Sequence, residues 1–463
     1  MRVHHLHVGL LVAGVLAIGF MMIGCEGPEG PQGPAGPPGG PGDGQVYLGN
    51  SAESCGHCHA ATTEAWEGTG HSEAYFALTG DNATDLYCLQ CHTTGFDDRY
   101  DHDGNLISQG LDRDGFDDNP RDAVKNVHCE ACHGPMGPAL THAPEIHKGL
   151  TGETCGSCHP AYAEYITSRH GTAIERAGGH EEWWAEFGRN PCWSCHVSEK
   201  FIANNDPDWA GHTPTAESWQ VTCVTCHDPH QAGNPGQLRN VGSVVSPYGG
   251  GDNGTTSYTI SGWGNGQLCV QCHHARRDSA NIAGQIARGS DHPGPHPSSQ
   301  GDMVAGRACY EIPGQNYADV RGTMLHTTGI LADMCVECHI VTRGFGDPGG
   351  PAYGHTFAPQ LSKCQTCHSG ATSFDVNGIQ TQVANLMEQL STLLPQENGE
   401  VRAAMDTVNW TLAQRQAGYA YFFVHDDKSH GVHNRDYTIR ILTNAINHLS
   451  AAMTEERQTG ARG

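Results

Sequence analysis

The sequence predicts a mainly helical protein with extensive loops, helices at its C-terminal end and little β structure. Three observations favour this class: a five-residue cysteine–histidine pattern that repeats along the chain, a composition with 61 Gly and 25 Pro but only 37% hydrophobic residues, and helical apolar stripes after residue 375. Such a composition gives too few apolar side chains for an ordinary core in a chain of this length. A group bound at the repeated pattern must therefore supply much of the packing.

The repeated pattern is C-x-x-C-H, which occurs nine times and uses 18 of the 20 cysteines. Two thiols at this spacing can add to the two vinyl groups of one haem, and the His that follows is then held under the iron as its proximal ligand. We therefore predict nine c-type haems. The attaching residues are Cys55 and Cys58, Cys88 and Cys91, Cys129 and Cys132, Cys155 and Cys158, Cys192 and Cys195, Cys223 and Cys226, Cys269 and Cys272, Cys335 and Cys338, and Cys364 and Cys367. The proximal ligands are His59, His92, His133, His159, His196, His227, His273, His339 and His368.

Zinc ribbons, thioredoxin-like redox pairs and disulfide frameworks also use paired cysteines. None of them requires a His directly after every pair, so haem attachment is the better interpretation. Because the haems would form part of the core, we expect a chain that does not fold without them.

The formal net charge is −25, and haem propionates would add to it. An acidic surface argues against nucleic acid or anionic lipid as a binding partner and allows cationic or metal-bearing ones. The haems lead us to expect redox partner proteins or an extracellular acceptor. The 31 histidines exceed the nine proximal ligands by enough to give every iron a second axial His.

The N-terminus predicts export. Residues 1–24 read as a signal peptide, since the apolar run from Val8 to Ile23 is short for a membrane span. The residues before Cys25 resemble a bacterial lipobox, with Met22 where Leu is usual, which implies lipidation of Cys25. Plain secretion or an uncleaved anchor are the alternatives. We expect an outer-membrane lipoprotein on the periplasmic or cell-surface side.

Residues 25–45 carry Gly at every third position, as collagen does. So few triplets favour an extended, lipid-anchored Gly/Pro tether over a trimeric triple helix.

An internal repeat follows the tether. Residues 53–59 align with residues 153–159, and the third motif of each copy has a Val two places before its first Cys. The sequence thus divides into three-haem modules at 46–150, 151–240 and 241–374, followed by a helical segment at 375–463.

An acidic loop in the first module could hold a structural calcium ion at Asp101, Asp103, Asp112 and Asp114. Neither half of the loop completes an EF-hand, because Arg99 and Gly110 occupy the first-ligand positions. A solvated acidic loop is the preferred interpretation.

Two further stretches carry no motif. Residues 229–265, rich in Gly, Ser and Asn, predict a long surface connection. Past the last motif, Val383, Leu386, Leu390 and Leu393 fall on one helical face, and further helices are predicted over about 402–424 and 437–457. These helices would pack on the haem body or on another subunit, so an oligomer is possible.

Distal ligands are chosen among histidines that lie close to a motif on a short segment. The candidates are His71, His142, His170, His212, His230, His296, His326, His355 and His433. Which His serves which iron is left open. The odd cysteine, Cys309, is predicted to be a small buried residue.

The nine motifs, Gly354-His355-Thr356-Phe357, the run from His296 to Met303 and the run from Ser429 to Asn434 resemble those of the multihaem c-type cytochromes related to hydroxylamine oxidoreductase and pentahaem nitrite reductase, especially lipoproteins of metal-respiring bacteria. The resemblance covers about residues 50–450. All nine motifs end in His, whereas the ammonia-forming nitrite reductases of that group replace one with Lys. The hydroxylamine oxidoreductase branch leaves one distal position empty and links a Tyr to that haem, for which Tyr353 and Tyr437 are weak candidates.

These observations favour an electron carrier over an enzyme: an exported nonahaem cytochrome with a chain of bis-His irons, used in anaerobic or extracellular respiration. One alternative is a reductase or oxidase of small nitrogen or sulfur compounds with one open haem. Another is a subunit of an extracellular cytochrome filament or a porin–cytochrome complex.

Overall fold

The computed structural model describes residues 45–137, 151–234, 236–248, 257–291, 294–322, 326, 330–344, 347 and 351–460. The described residues form one compact unit. The signal peptide, the lipidation site Cys25, the tether up to residue 44 and the candidate ligand His142 lie outside the described residues. Within the described ranges, no helix combines the length and apolar character that a bilayer crossing requires.

Helices dominate the described chain. In chain order they are α1 Ser51–Ser54, α2 Ala60–Glu67, α3 Leu86–His92, α4 Cys129–His133, α5 Glu153–Gly156, α6 Ala161–Tyr165, α7 Ala173–Arg176, α8 His180–Phe187, α9 Asn190–His196, α10 Ser198–Asn205, α11 Cys223–Cys226, α12 Ser279–Arg288, α13 Gln300–Ala305, α14 Cys335–His339, α15 Leu361–Gln365, α16 Ile379–Ser391, α17 Leu412–Asp427 and α18 Arg435–Gly460. Most of those before α16 are short, and loops connect them.

The strands are few and short. They are β1 Arg99–Tyr100, β2 Leu106–Ser108, β3 Val244–Ser246, β4 Tyr258–Ile260, β5 Thr342–Arg343, β6 Ala352–Tyr353, β7 Gln396–Glu397 and β8 Glu400–Val401. They pair consecutively as four two-stranded antiparallel sheets. The predicted fold class, mainly helical with extensive loops and little β structure, is confirmed.

The largest apolar core lies around the three C-terminal helices. On α16, Val383 and Leu390 are fully buried, and Leu386 and Leu393 pack against the same cluster. The cluster also takes in α12, through residues such as Ile286, so the C-terminal helices share one core with residues of the predicted third module. Elsewhere the described apolar clusters are much smaller. This uneven distribution agrees with a chain that packs against bound groups over most of its length.

Two expectations need correction. The second C-terminal helix begins at Leu412, not near residue 402, because a capping box marks its start. The Gln414 backbone N–H donates to Thr411 Oγ1 at 3.2 Å, and the Thr411 backbone N–H donates to Gln414 Oε1 at 2.9 Å. The connection at 229–265 is also not wholly a surface loop. It contributes the β3–β4 hairpin and the fully buried Tyr248, whose hydroxyl donates to the Cys309 carbonyl at 2.7 Å.

Cys309 itself is 1% exposed, which confirms its predicted burial.

Candidate haem centres

Each C-x-x-C-H motif folds as about one turn of helix. The backbone N–H of the motif His bonds to the carbonyl of the first Cys, as at His59 (2.9 Å) and His368 (2.7 Å). Residues three apart on a helical turn lie on the same face. The two thiols therefore point to one side, as attachment to a single planar group requires.

Seven of the nine motif histidines face a second His across a gap. In every case the second His is one of the predicted distal candidates. The pairs and their ring-centroid distances are His159–His71 (5.9 Å), His133–His230 (6.2 Å), His273–His170 (6.2 Å), His196–His296 (6.1 Å), His227–His355 (6.1 Å), His368–His326 (6.4 Å) and His339–His433 (6.3 Å).

These distances have a simple interpretation. A metal–imidazole bond is about 2.0–2.1 Å long and a ring nitrogen lies about 1.1 Å from its centroid, so two imidazoles on opposite sides of one metal ion have centroids about 6.2–6.4 Å apart. Aromatic pairs in general have centroids about 4.5–7 Å apart, so the distances count here because all seven pairs join a motif His to a predicted distal His. The observed gaps therefore fit an iron atom between the two rings.

Hydrogen bonds fix the orientation of many of these rings. In each, Nδ1 faces an acceptor, which leaves Nε2 as the ligating nitrogen. The bonds are His92 to Ala74 O (2.5 Å), His227 to Gly236 O (2.5 Å), His339 to Phe357 O (2.8 Å), His355 to Tyr353 O (2.8 Å), His273 to Gln300 Oε1 (3.0 Å), His296 to Ser298 Oγ (2.8 Å) and His433 to Asp427 Oδ1 (2.7 Å).

Burial also keeps most of these imidazoles neutral, which metal ligation requires. It lowers the pKa of His170 to about 4, with a smaller contribution from His273. Burial, followed by the neighbouring His230, lowers the pKa of His133 to about 4. His433 is the exception: burial alone would lower its pKa, but the charge and hydrogen bond of Asp427 outweigh burial and raise it.

The other candidates have different surroundings. The ring of His212 lies edge-to-face against Trp209, with centroids 5.1 Å apart. Two histidines that are not among the candidates are hydrogen-bonded to other side chains. His128 Nδ1 lies 2.9 Å from Ser51 Oγ, and His448 Nε2 lies 3.0 Å from Gln416 Oε1.

The cysteines of different motifs are neighbours in space. Five thiol pairs from different motifs are close enough for direct side-chain interaction: Cys55 with Cys129, Cys91 with Cys158, Cys155 with Cys223, Cys195 with Cys272 and Cys269 with Cys335. Three further pairs are close enough to interact electrostatically: Cys132 with Cys155, Cys226 with Cys269 and Cys338 with Cys364. Together they connect all nine motifs.

Five of the seven imidazole pairs join different predicted modules, and a sixth, His339–His433, joins the third module to the C-terminal helical segment. His71 in the first module faces His159 in the second, and His170 in the second faces His273 in the third. The sequence repeat thus reappears as a repeated contact between successive modules. Sequence reasoning found these histidines from their distance to a motif, but it could not pair them, because each partner is distant in the chain.

Asp427 and Gln300 are not predicted from the sequence as site residues. In the structure they bond to His433 and His273, respectively. Asp427 lies six positions before the candidate ligand His433, at the end of a helix with many apolar residues. This position is the sequence feature that could have indicated a role beside His433.

The acidic loop does not gather its carboxylates around a common point. Among the described residues, no group of three or more His, Cys, Asp or Glu side chains is arranged to hold a metal ion. Asp101 accepts hydrogen bonds from the Asp103 and Asn105 amides, and Asp114 accepts one from Asn119. Asp103 and Asp112 are exposed.

A family model described as cytochrome c554 and c-prime matches residues 54–134. The C-type polyheme cytochrome OmcB of Geobacter sulfurreducens is 26% identical over 308 residues, which cover 59% of this chain and 40% of OmcB. The multiheme cytochrome MtrA of Shewanella baltica is 27% identical over 137 residues, covering 24% of this chain and 38% of MtrA. The chain thus spans about two fifths of the length of these relatives.

Two solved structures are also similar. The outer cell wall cytochrome OcwA matches with a TM-score of 0.48 and 18% identity, covering 87% of this chain and 99% of OcwA. The undecaheme cytochrome from the S-layer of Carboxydothermus ferrireducens matches with the same TM-score and identity, covering 88% of this chain and 70% of that one. With its nine C-x-x-C-H motifs and these relatives, the chain is similar to multihaem c-type cytochromes.

Proposed function

We propose that the chain is a nonahaem electron carrier whose irons are ligated by two histidines each. The observation that carries the proposal is the set of seven imidazole pairs at 5.9–6.4 Å. Haem iron between two imidazoles exchanges one electron with no free position for a substrate. The chain's part is to hold both imidazoles in place, to attach the macrocycle through two thiols and to exclude water. His59 and His92 would complete their coordination from the remaining candidates, His142 and His212.

The cysteine contacts support an order for the haems, numbered here by motif. The main line runs 1–3–4–6–7–8–9, following the pairs from Cys55–Cys129 to Cys338–Cys364. Haem 2 branches from haem 4 through Cys91 and Cys158, and haem 5 branches from haem 7 through Cys195 and Cys272. The same rule holds in the first two modules: the second and third haems each adjoin the first haem of the next module.

This order places both ends of the main line at the surface. Cys58 at haem 1 and Cys367 at haem 9 are exposed, whereas the other 16 attachment cysteines are at least partly covered. We propose that redox partners or an extracellular acceptor exchange electrons at these ends. We further propose that the protein is exported and tethered to the outer membrane through lipidated Cys25, in an anaerobic or extracellular respiratory chain.

The test is a pair of variants of the full holoprotein. His170→Ala removes a predicted distal ligand, and His448→Ala removes a His that is bonded to Gln416 instead. Electron paramagnetic resonance and the carbon monoxide difference spectrum of each are compared with the parent protein.

We expect no high-spin signal in the parent protein or in His448→Ala. In His170→Ala, about one ninth of the haem should become high-spin and bind carbon monoxide, because one of nine proposed irons loses a ligand. A parent protein with a high-spin fraction that binds carbon monoxide would contradict the pure carrier and favour an enzyme with one open haem. Nitrite, hydroxylamine and tetrathionate would then be assayed as substrates.

A further inference from the structure

The acceptor bonded to His433 differs in kind from the acceptors of the six other ligands whose Nδ1 bonds are described above. The Nδ1 atoms of His92, His227, His339 and His355 face backbone carbonyls, that of His273 faces an amide and that of His296 a hydroxyl. His433 Nδ1 donates to the Asp427 carboxylate at 2.7 Å. At haem 8, therefore, one imidazole is bonded to a neutral oxygen and the opposite one to a full negative charge.

Asp427 is held in place and shielded from water. Its side chain is 3% exposed, and it lies at the last residue of α17. The second carboxylate oxygen accepts from the Ser429 hydroxyl, and from the Ser429 backbone N–H at 3.3 Å. Ser429 Oγ also accepts from the His433 backbone N–H at 3.2 Å, so the carboxylate and the imidazole belong to one bonded loop.

A buried carboxylate that accepts a hydrogen bond from a ligating imidazole makes that imidazole a stronger electron donor. Stronger donation stabilises ferric over ferrous iron, and it does so more in a buried site than in water. A second carboxylate, Asp228, lies near a candidate ring, but its Oδ1 is 3.8 Å from His230 Nδ1, beyond hydrogen-bond range, and its Oδ2 is paired with Arg239 at 3.2 Å.

We propose that Asp427 is a positioning residue that sets haem 8 as the lowest-potential site of the main line, through its hydrogen bond to His433. The inference rests on the proposed ligation of haem 8 by His339 and His433. Because haem 8 stands between haems 7 and 9, electrons would reside mainly on either side of it. Electron transfer to the exposed end at Cys367 would then pass through a step that is unfavourable in free energy. This step would limit the rate of electron transfer at that end and leave the rest of the line reduced.

The experiment is a potentiometric titration of the holoprotein, followed optically and by electron paramagnetic resonance. Asp427→Asn keeps the shape and an acceptor oxygen but removes the charge. The expected result is that one ninth of the optical change, at the low-potential end, moves to higher potential. A 10- to 100-fold change in the reduction equilibrium, matching the effect of such outer-shell partners on metal affinity, corresponds to about 60–120 mV for one electron. One low-spin signal should change its g-values at the same time.

Two companion variants separate charge from packing. Ser429→Ala removes a donor from the carboxylate and strengthens its bond to His433, so the same component should move to lower potential, by less than tenfold. Asp426→Asn removes a charge from the preceding residue, whose carboxylate is bonded to His425 at 2.9 Å, and should leave the component unchanged. If Asp427→Asn lowers haem content, the opposite shift in Ser429→Ala still tests the proposal.

His433→Ala distinguishes failure of the inference from failure of the proposed function. If His433→Ala produces one ninth of high-spin haem but Asp427→Asn shifts no component, ligation holds and the tuning role is wrong. If neither variant changes the spectra, His433 is not a ligand and both proposals fail at this haem. If Asp427→Asn and Asp426→Asn shift the potential by the same amount, the effect comes from net charge and not from the bond to His433. That result would overturn the inference.

Discussion

Glu199 should make the stability of this protein fall as the pH rises towards neutral. The side chain lies in the first turn of α10 and is 5% exposed, with the Trp219 backbone N–H donating to its carboxylate at 3.0 Å. Burial raises the pKa of Glu199 to about 7 from an ordinary value of 4.5. Between these two values the folded state binds the proton more tightly than the unfolded state, so stability decreases with increasing pH and then levels off above about pH 7.

The size of the effect follows from the shift. Each pKa unit corresponds to about 1.4 kcal/mol, so a shift from 4.5 to about 7 gives about 3 kcal/mol in total. Glu199→Gln keeps an acceptor for Trp219 but cannot ionise. Urea unfolding of both holoproteins at several pH values between 4.5 and 8, followed by circular dichroism, gives the difference in free energy of unfolding.

We expect that difference to change by about 3 kcal/mol in favour of Gln between pH 4.5 and 8. Contributions of all other titrating groups cancel in the comparison. A difference that is constant over this range, or one that changes in favour of Glu as the pH rises, would refute the argument from burial.

Three substitutions and one control in the C-terminal helical segment test its packing and capping, each by urea unfolding of the holoprotein at constant pH. Leu390→Ala should cost about 3 kcal/mol, since the side chain is fully buried; Val408→Ala, at a position 89% exposed, should stay within about 0.5 kcal/mol as its control. Arg415→Met should cost about 3 kcal/mol, because the guanidinium is buried and bonded to three carbonyls, including that of Ile286 at 2.7 Å. Thr411→Ala should cost about 1 kcal/mol by removing the cap of α17. A loss at Val408 as large as that at Leu390 would contradict the burial argument, as would unchanged stability in Arg415→Met or Thr411→Ala.

Local features of this chain could be predicted from its sequence. Each motif forms a helical turn through backbone hydrogen bonds between residues close in sequence, and this turn positions two thiols and a His. The apolar spacing of Val383 and Leu390 likewise predicts the buried face of α16. The predicted start of α17 is too early because the residues before Thr411 are also compatible with a helix, and only the capping box marks the boundary. The β3–β4 hairpin is not predicted, because it lies in a Gly- and Ser-rich segment and such a composition usually indicates a loop.

Long-range features could not be predicted in the same way. Proximity to a motif located His230 and His355, but their partners, His133 and His227, lie in other predicted modules. Pairing depends on how the modules pack against each other, and no local pattern records that. The same holds for the Asp427–His433 bond, which depends on the turn between α17 and α18.

The imidazole pairs also determine how the chain would respond to force. Six of the seven join residues about 90 to 130 positions apart, so each iron held by such a pair keeps a long segment of chain closed. A released segment of a hundred residues extends by roughly 330–360 Å. Stretched from its two ends, the molecule would therefore lengthen in a few large jumps, each marking the rupture of one iron–imidazole bond. Its tensile strength would be set by metal coordination, with the short helices between the motifs contributing little.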